Sequence, residues 1–218
     1  EHPRMGAVDV IPFIPIRDTT IAECIALSKR AGERIYAEAG IPVFLYEASA
    51  TAQHCVNLAS IRKGQFEGMA EKVQLPEWEP DFGGRKIHPT AGVVAVGARA
   101  PLIAFNINLS TSDVTIADRI AKIIRYSGGG LSCVKAIGVL LKDRNVAQVS
   151  INMTNYCETP LYRVVEFVRF EAARYGVHVI GTEVVGLVPM RALIDSAEYY
   201  LGIENFEAEK QVLEYRLD

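Results

Sequence analysis

Two stretches hold residues whose side chains can do chemistry. The first is the opening "EHPRMG", with His2 and Arg4. Imidazole takes up and releases a proton near neutral pH, at an ordinary pKa of about 6.5. In an extended segment Arg4 points to the same side as His2. Its guanidinium either holds a substrate carboxylate through a forked pair of hydrogen bonds or stands solvated at the surface. From position alone His2 is a chain-end residue without a role, because chain ends are usually poorly ordered. Asp9, close behind, either orients a basic group or, the commoner case for a strand-end acid, stands exposed. The second stretch is "GGRKIHPTAG", Gly83 to Gly92. By charge alone it is a polar surface loop.

Other chemistries find little support. Cys24, Cys55, Cys133 and Cys157 are scattered, without a C-x-x-C pair. That spacing suits neither zinc nor a disulfide framework, so reduced packing residues are expected and no metal site. A net charge of −3 argues against broad nucleic-acid binding. The strands lack the aromatic-rich motif used for stacking RNA bases. No phosphate-cradling glycine loop appears. No apolar run reaches transmembrane length, and no signal segment stands at the start, although a trimmed start could have lost one. Half of the 218 residues are hydrophobic and 22% are charged, which fits an ordinary globular protein with room for one large domain or two small ones.

The elements that must position these residues follow from periodicity. "AVDVIPFIPI" (residues 7–16) reads as a strand, kept to an edge or a bulge by Pro12 and Pro15. A helix follows, capped by Thr19 or Thr20 and ended by Gly40, then the strand "IPVFLYE". "ASIRKGQFEGMAEKV" suggests a short helix, and "LPEWEPDFGGRKIHPTAG" a long loop of the kind that is often functional. Beyond it lie strands at "GVVAVGAR" and "PLIAFNINLS". A helix capped by Ser112 follows, then a hairpin turning at Asp143-Arg144-Asn145. A helix capped by Thr159 with Pro160 at its first position, a strand and a last helix complete the chain. The order from Leu102 is βαββαβα, the split βαβ or ferredoxin-like sandwich. Asn106 and Asn108 share one strand face and need hydrogen-bond partners, as do Gln148, Asn152 and Asn155. Neighbouring protein groups are the simpler source. The fold class is α/β, an α+β sandwich with two ferredoxin-like, βαβ-containing subdomains, residues 1–100 and 101–218. The first is incomplete.

The segments "EHPRMGAVDVIPFIPI", "YAEAGIPVFLYE", "ASIRKGQFEG", "WEPDFG", "LIAFNINL", "NVAQVSINMTN" and "VVGLVPMRAL" run in order through nearly the whole chain. Together they resemble the formiminotransferase domain of glutamate formiminotransferase, which in animals is fused to a cyclodeaminase. The resemblance implies a cytoplasmic, homodimeric transferase of histidine and one-carbon metabolism. It would move the formimino group from N-formimino-L-glutamate to tetrahydrofolate, its co-substrate. It implies His2 as general acid and base, and Gly83, Gly84, Arg85, Lys86, Ile87, His88, Pro89, Thr90, Ala91 and Gly92 as the folate-binding loop. There glycines let backbone approach a flat pteridine, and Arg85, Lys86 and His88 bring positive charge toward the anionic glutamate tail. It also implies that the abrupt start is a truncation within the first subdomain, so that this chain by itself shows little transfer. The alternative is a non-catalytic ferredoxin-like folate-binding or assembly module. A reading frame beginning at Glu1 would favour that alternative.

Overall fold

The computed structural model describes residues 3–217. It divides into two compact units, Glu1–Ala100 and Pro101–Asp218, with separate sheets.

The first unit has three parallel strands in the order β1-β3-β2, namely β1 (Val10–Phe13), β2 (Val43–Glu47) and β3 (Val94–Ala98). β1 lies at an edge, where the missing N–H of Pro12 costs little. It is shorter than the apolar run suggests. Asp9 takes a left-handed φ of 59° and ends the extended stretch, and Ile16 is exposed. Helix α1 (Ile21–Ala39) crosses from β1 to β2. Its N-cap is Thr20, whose hydroxyl accepts from Glu23 N–H while Glu23 accepts in return from Thr20 N–H. Its C-cap is Gly40, in the left-handed region at φ 65°. One sheet face packs Val43, Val94 and Val96 against Ala31 and Ile35 of α1. The other packs Phe44, Tyr46 and Ala95 against Met5 and against Ile61 and Met69. The last two belong to α2 (Leu58–Arg62) and α3 (Gln65–Lys72), two short helices where one was expected. Gly64, at φ 97°, breaks the run between them.

The second unit has the expected βαββαβα order. It comprises β4 (Ile103–Leu109), α4 (Val114–Ile124), β5 (Val134–Leu141), β6 (Val146–Met153), α5 (Leu161–Ala173), β7 (Val179–Val185) and α6 (Met190–Leu201). The strands pair antiparallel in the order β5-β6-β4-β7, the ferredoxin-like arrangement. Alternation along β4 and β6 sends Ile103, Phe105, Ile107, Val149 and Ile151 into one core with Ile120, Ile124, Val164 and Val168 of α4 and α5. Two caps differ from the expectation. Asp113, not Ser112, caps α4, its carboxylate accepting from Thr115 N–H at 2.8 Å. Thr159 does not cap α5, because its hydroxyl donates to the Ser132 carbonyl at 2.6 Å, and Pro160 takes the cap position. No helix among the described residues is long and apolar enough to cross a membrane.

Candidate functional site

His2, the expected acid and base, lies outside the described residues. The described residues that follow it are held by several backbone hydrogen bonds. Arg4 is exposed. Met5 is fully buried, its side chain in the core under β2 and β3. Its N–H donates to Asp9 Oδ1 at 3.0 Å and its carbonyl accepts from Val93 N–H at 3.2 Å. Ala7 N–H donates to the Ala91 carbonyl at 3.0 Å. Gly6 and Gly92 pair as an isolated antiparallel bridge. A Cβ on Gly6 would run into the Val93 carbonyl oxygen, and one on Gly92 into the Met5 carbonyl oxygen. The first described residues and the end of the Gly83–Gly92 loop are therefore held backbone to backbone, through contacts that only glycine permits.

The loop is fixed along its length. Before it, Phe82 exchanges both backbone hydrogen bonds with Val43, and the Asp81 carboxylate accepts from Leu45 N–H at 2.7 Å and from the Thr51 hydroxyl. Gly83 sits at φ 121°, and a Cβ there would lie 2.9 Å from Pro42 Cα. Gly84 is left-handed at φ 65°. Gln74 Nε2 donates to the Arg85 carbonyl at 2.7 Å, and the Arg85 guanidinium is paired with Glu79 at 3.1 Å. Ile87 packs on the core. His88 and Gly92 exchange backbone hydrogen bonds at 3.0 and 2.9 Å. His88 Nδ1 accepts from Ala91 N–H at 3.0 Å and from Thr90 N–H at 3.3 Å. His88 thus shapes the turn, and Arg85 is paired with Glu79. Lys86, with Pro89 and Thr90, is exposed. Among the described residues Lys86 has no ion-pair partner, so it is the loop's uncompensated cation.

Asp9 is not the exposed strand-end acid that is the commoner expectation. It is buried, 9% exposed, and paired with Arg62, the last residue of α2. Lys72 went unnoticed. Its Nζ donates to the carbonyls of Ser60, Ile61 and Lys63 at 2.7, 2.8 and 3.1 Å, and it stands 3.7 Å over the Trp78 ring. Burial pulls its pKa down to about 8. Burial likewise pushes the Cys55 thiol up to about 11, so it is a packing group and no thiolate nucleophile near neutral pH. The packing reading holds for Cys24 and Cys55, but Cys157 is exposed. Among the described residues no three His, Cys, Asp or Glu side chains come together to hold a metal ion.

In the second unit Asn108, Gln148 and Asn155 find protein partners, Asn155 Oδ1 accepting from Cys157 N–H at 3.1 Å. Asn108 Nδ2 donates to Glu183 Oε1 at 3.1 Å. Gln148 Nε2 donates to Asn108 Oδ1 at 2.8 Å and to Glu183 Oε2 at 3.2 Å. Arg144 at the hairpin turn completes the cluster, 2.8 Å from Glu183. The Asn108 hydrogen bond, with smaller help from Arg144 and Gln148, holds the Glu183 carboxyl below its ordinary range.

These features define a protein of two α/β units, with a glycine-bounded loop in the first one locked to the segment that follows His2. Comparison with known proteins gives the family. The model of the "Formiminotransferase domain, N-terminal subdomain" matches residues 1–99, and that of the "Formiminotransferase domain" matches residues 104–217. The chain is 62% identical over its whole length to a glutamate formimidoyltransferase of Streptococcus pyogenes serotype M1, of which it covers 73%. It is 47% identical, again over its whole length, to a glutamate formimidoyltransferase of Thermoplasma acidophilum, of which it covers 72%. A formimidoyltransferase-cyclodeaminase of Dictyostelium discoideum is 43% identical, and the chain spans 41% of it. The chain belongs to the formiminotransferase family.

Proposed function

We propose that this chain transfers the formimino group of N-formimino-L-glutamate to N5 of tetrahydrofolate, giving 5-formiminotetrahydrofolate and glutamate. The observation that carries this reading is the 62% identity, over the whole chain, to a glutamate formimidoyltransferase. N5 attacks the amidine carbon and forms a tetrahedral carbon bearing three nitrogens. Collapse toward product requires a proton to leave N5 and one to reach the departing glutamate nitrogen. His2 performs both transfers, a contribution of roughly a hundred- to ten-thousand-fold in rate. Arg4 holds a carboxylate of the donor. The Gly83–Gly92 loop presents backbone to the pteridine, and Lys86 draws the glutamate tail of folate. The ladder between Met5–Ala7 and Ala91–Val93 supports this division of labour, because it keeps the loop beside the segment that follows His2. The reading carries with it a place in histidine degradation and one-carbon metabolism, a cytoplasmic location and a homodimer.

The test is formimino transfer by the full-length protein, followed by glutamate release and by the folate product. His2→Ala is expected to lower kcat by about a hundredfold or more while tetrahydrofolate affinity stays within a few-fold. His2→Asn, polar but unable to shuttle a proton, is expected to be nearly as inactive. Full activity in His2→Ala would end the catalytic assignment. Folate binding without any glutamate release would favour the binding or assembly module instead.

A further inference from the structure

We propose that Asp9, held by Arg62, is a positioning residue for the transfer reaction, fixing the backbone of the segment that carries Arg4 and follows His2. This rests on the function proposed above. Asp9 bears two costs at once. It is a buried carboxylate, and it adopts a φ of 59°, in the left-handed region that few non-glycine residues occupy. Its backbone serves β1, since its carbonyl accepts from Ala95 N–H at 2.9 Å, but its buried carboxylate takes no part in that ladder.

What these costs secure is Met5. Asp9 Oδ1 takes the Met5 N–H at 3.0 Å, while Oδ2 accepts from Arg62. The Met5 carbonyl is bound by Val93 N–H and its side chain is fully buried. Every group of Met5 is thus engaged one residue after Arg4. The anchor is itself anchored. Arg62 closes α2, and Lys72 caps the carbonyls of that helix end, those of Ser60 and Ile61 and of Lys63 just beyond. The chain of contacts therefore runs from Lys72 through the end of α2 and Arg62 to Asp9, and from there to Met5 and the residues before it. A catalytic group misplaced by about 1 Å can lose on the order of a hundredfold in rate. Besides its ladder to Met5–Ala7, the folate loop keeps supports of its own at Phe82, Gln74 and His88.

The experiment compares Asp9→Ala, Asp9→Asn and Val73→Ala in the full-length protein. Val73 is a buried residue of the same core cluster as Met5 but makes none of the segment's hydrogen bonds, and so reports mere destabilisation. Asp9→Ala should lower kcat about ten- to hundredfold, with the KM for tetrahydrofolate within about twofold, and should speed amide hydrogen exchange across residues 4–9. Asp9→Asn, which keeps a carbonyl oxygen for Met5 N–H, should restore most of that protection. Val73→Ala should lower the melting temperature without either effect. Should Asp9→Ala fail to fold, the double variant Asp9→Ala/Arg62→Met, which removes the Met5 acceptor without leaving the Arg62 charge unpaired, is expected to lower kcat in the same way. Unchanged exchange at residues 4–9, a raised KM at unchanged kcat, or a kcat loss matched by Val73→Ala would overturn the proposal. If the parent protein shows no transfer, the functional reading falls, and the exchange comparison still decides whether Asp9 holds the segment.

Discussion

Asp9 and Glu183 are both carboxylates held by arginine, yet they stand in different surroundings. Asp9 is buried, whereas the Glu183 side chain is 40% exposed and its ion pair with Arg144 is screened by water. What sets Glu183 apart is the pair of buried amides that donate to it, Asn108 and Gln148. They favour the charged form, and the folded protein therefore holds this carboxyl below its ordinary value of 4.5. A depressed acid contributes stability that is complete above its unfolded pKa and disappears as pH falls through the folded one. Glu183→Gln should accordingly be less stable than the parent at pH 7, and the gap should close progressively below about pH 4.5. Urea unfolding midpoints at pH 7, 5, 4 and 3 read this directly. A gap that stays constant down to pH 3 would mean that the carboxylate's charge contributes nothing.

At the scale of elements, the same kind of economy appears where two backbones meet. Gly92 is left-handed at φ 67°, and a side chain there would collide with the Met5 carbonyl. Gly92→Ala should therefore cost about 2 kcal/mol or more in unfolding free energy, and should weaken tetrahydrofolate binding by distorting the loop's own backbone. Gly129→Ala makes a control, since its φ is 85° but no atom lies within 4 Å of the added Cβ. If the two variants lose equal stability and bind folate equally, the close approach at Gly92 has no consequence. How legible an element is in the sequence depends on how local its causes are. The second unit could be read from alternation and helical spacing, because its strands each bury one face and its helices each present one stripe. Gly40 marked the end of α1 for the same local reason, and its start was narrowed to Thr19 or Thr20, of which Thr20 is the cap. Caps were less secure where two polar residues stood side by side, as Ser112 and Asp113 do, or where a hydroxyl was drawn elsewhere, as with Thr159 and the Ser132 carbonyl. The loop announced its glycines but not its partner, because the ladder to Met5–Ala7 joins segments far apart in sequence. The left-handed turn at Asp9 leaves no trace in the residue types around it.

For the molecule as a whole, the two units differ in how their cores are built. The second has one continuous core, in which both helices α4 and α5 lie against a four-stranded sheet. The first divides its apolar residues between the two faces of a three-stranded sheet, so that each cluster is small. Buried apolar area is the main favourable term in folding, and splitting it leaves less cooperative stabilisation for each layer. The first unit should therefore open at a lower denaturant concentration than the second. The chain supplies its own reporter, since its single tryptophan, Trp78, lies in the first unit beside Phe44, His54 and Lys72. In urea, Trp78 fluorescence should change before the far-ultraviolet circular dichroism has lost the signal of the second unit's helices. The dichroism should then show a second, later step that the fluorescence does not follow. Coincident midpoints with equal slopes by both probes would show a single cooperative transition and refute the ordering. Val73→Ala, in the first unit's core, should move only the fluorescence step. Val164→Ala, in the second, should move only the later one.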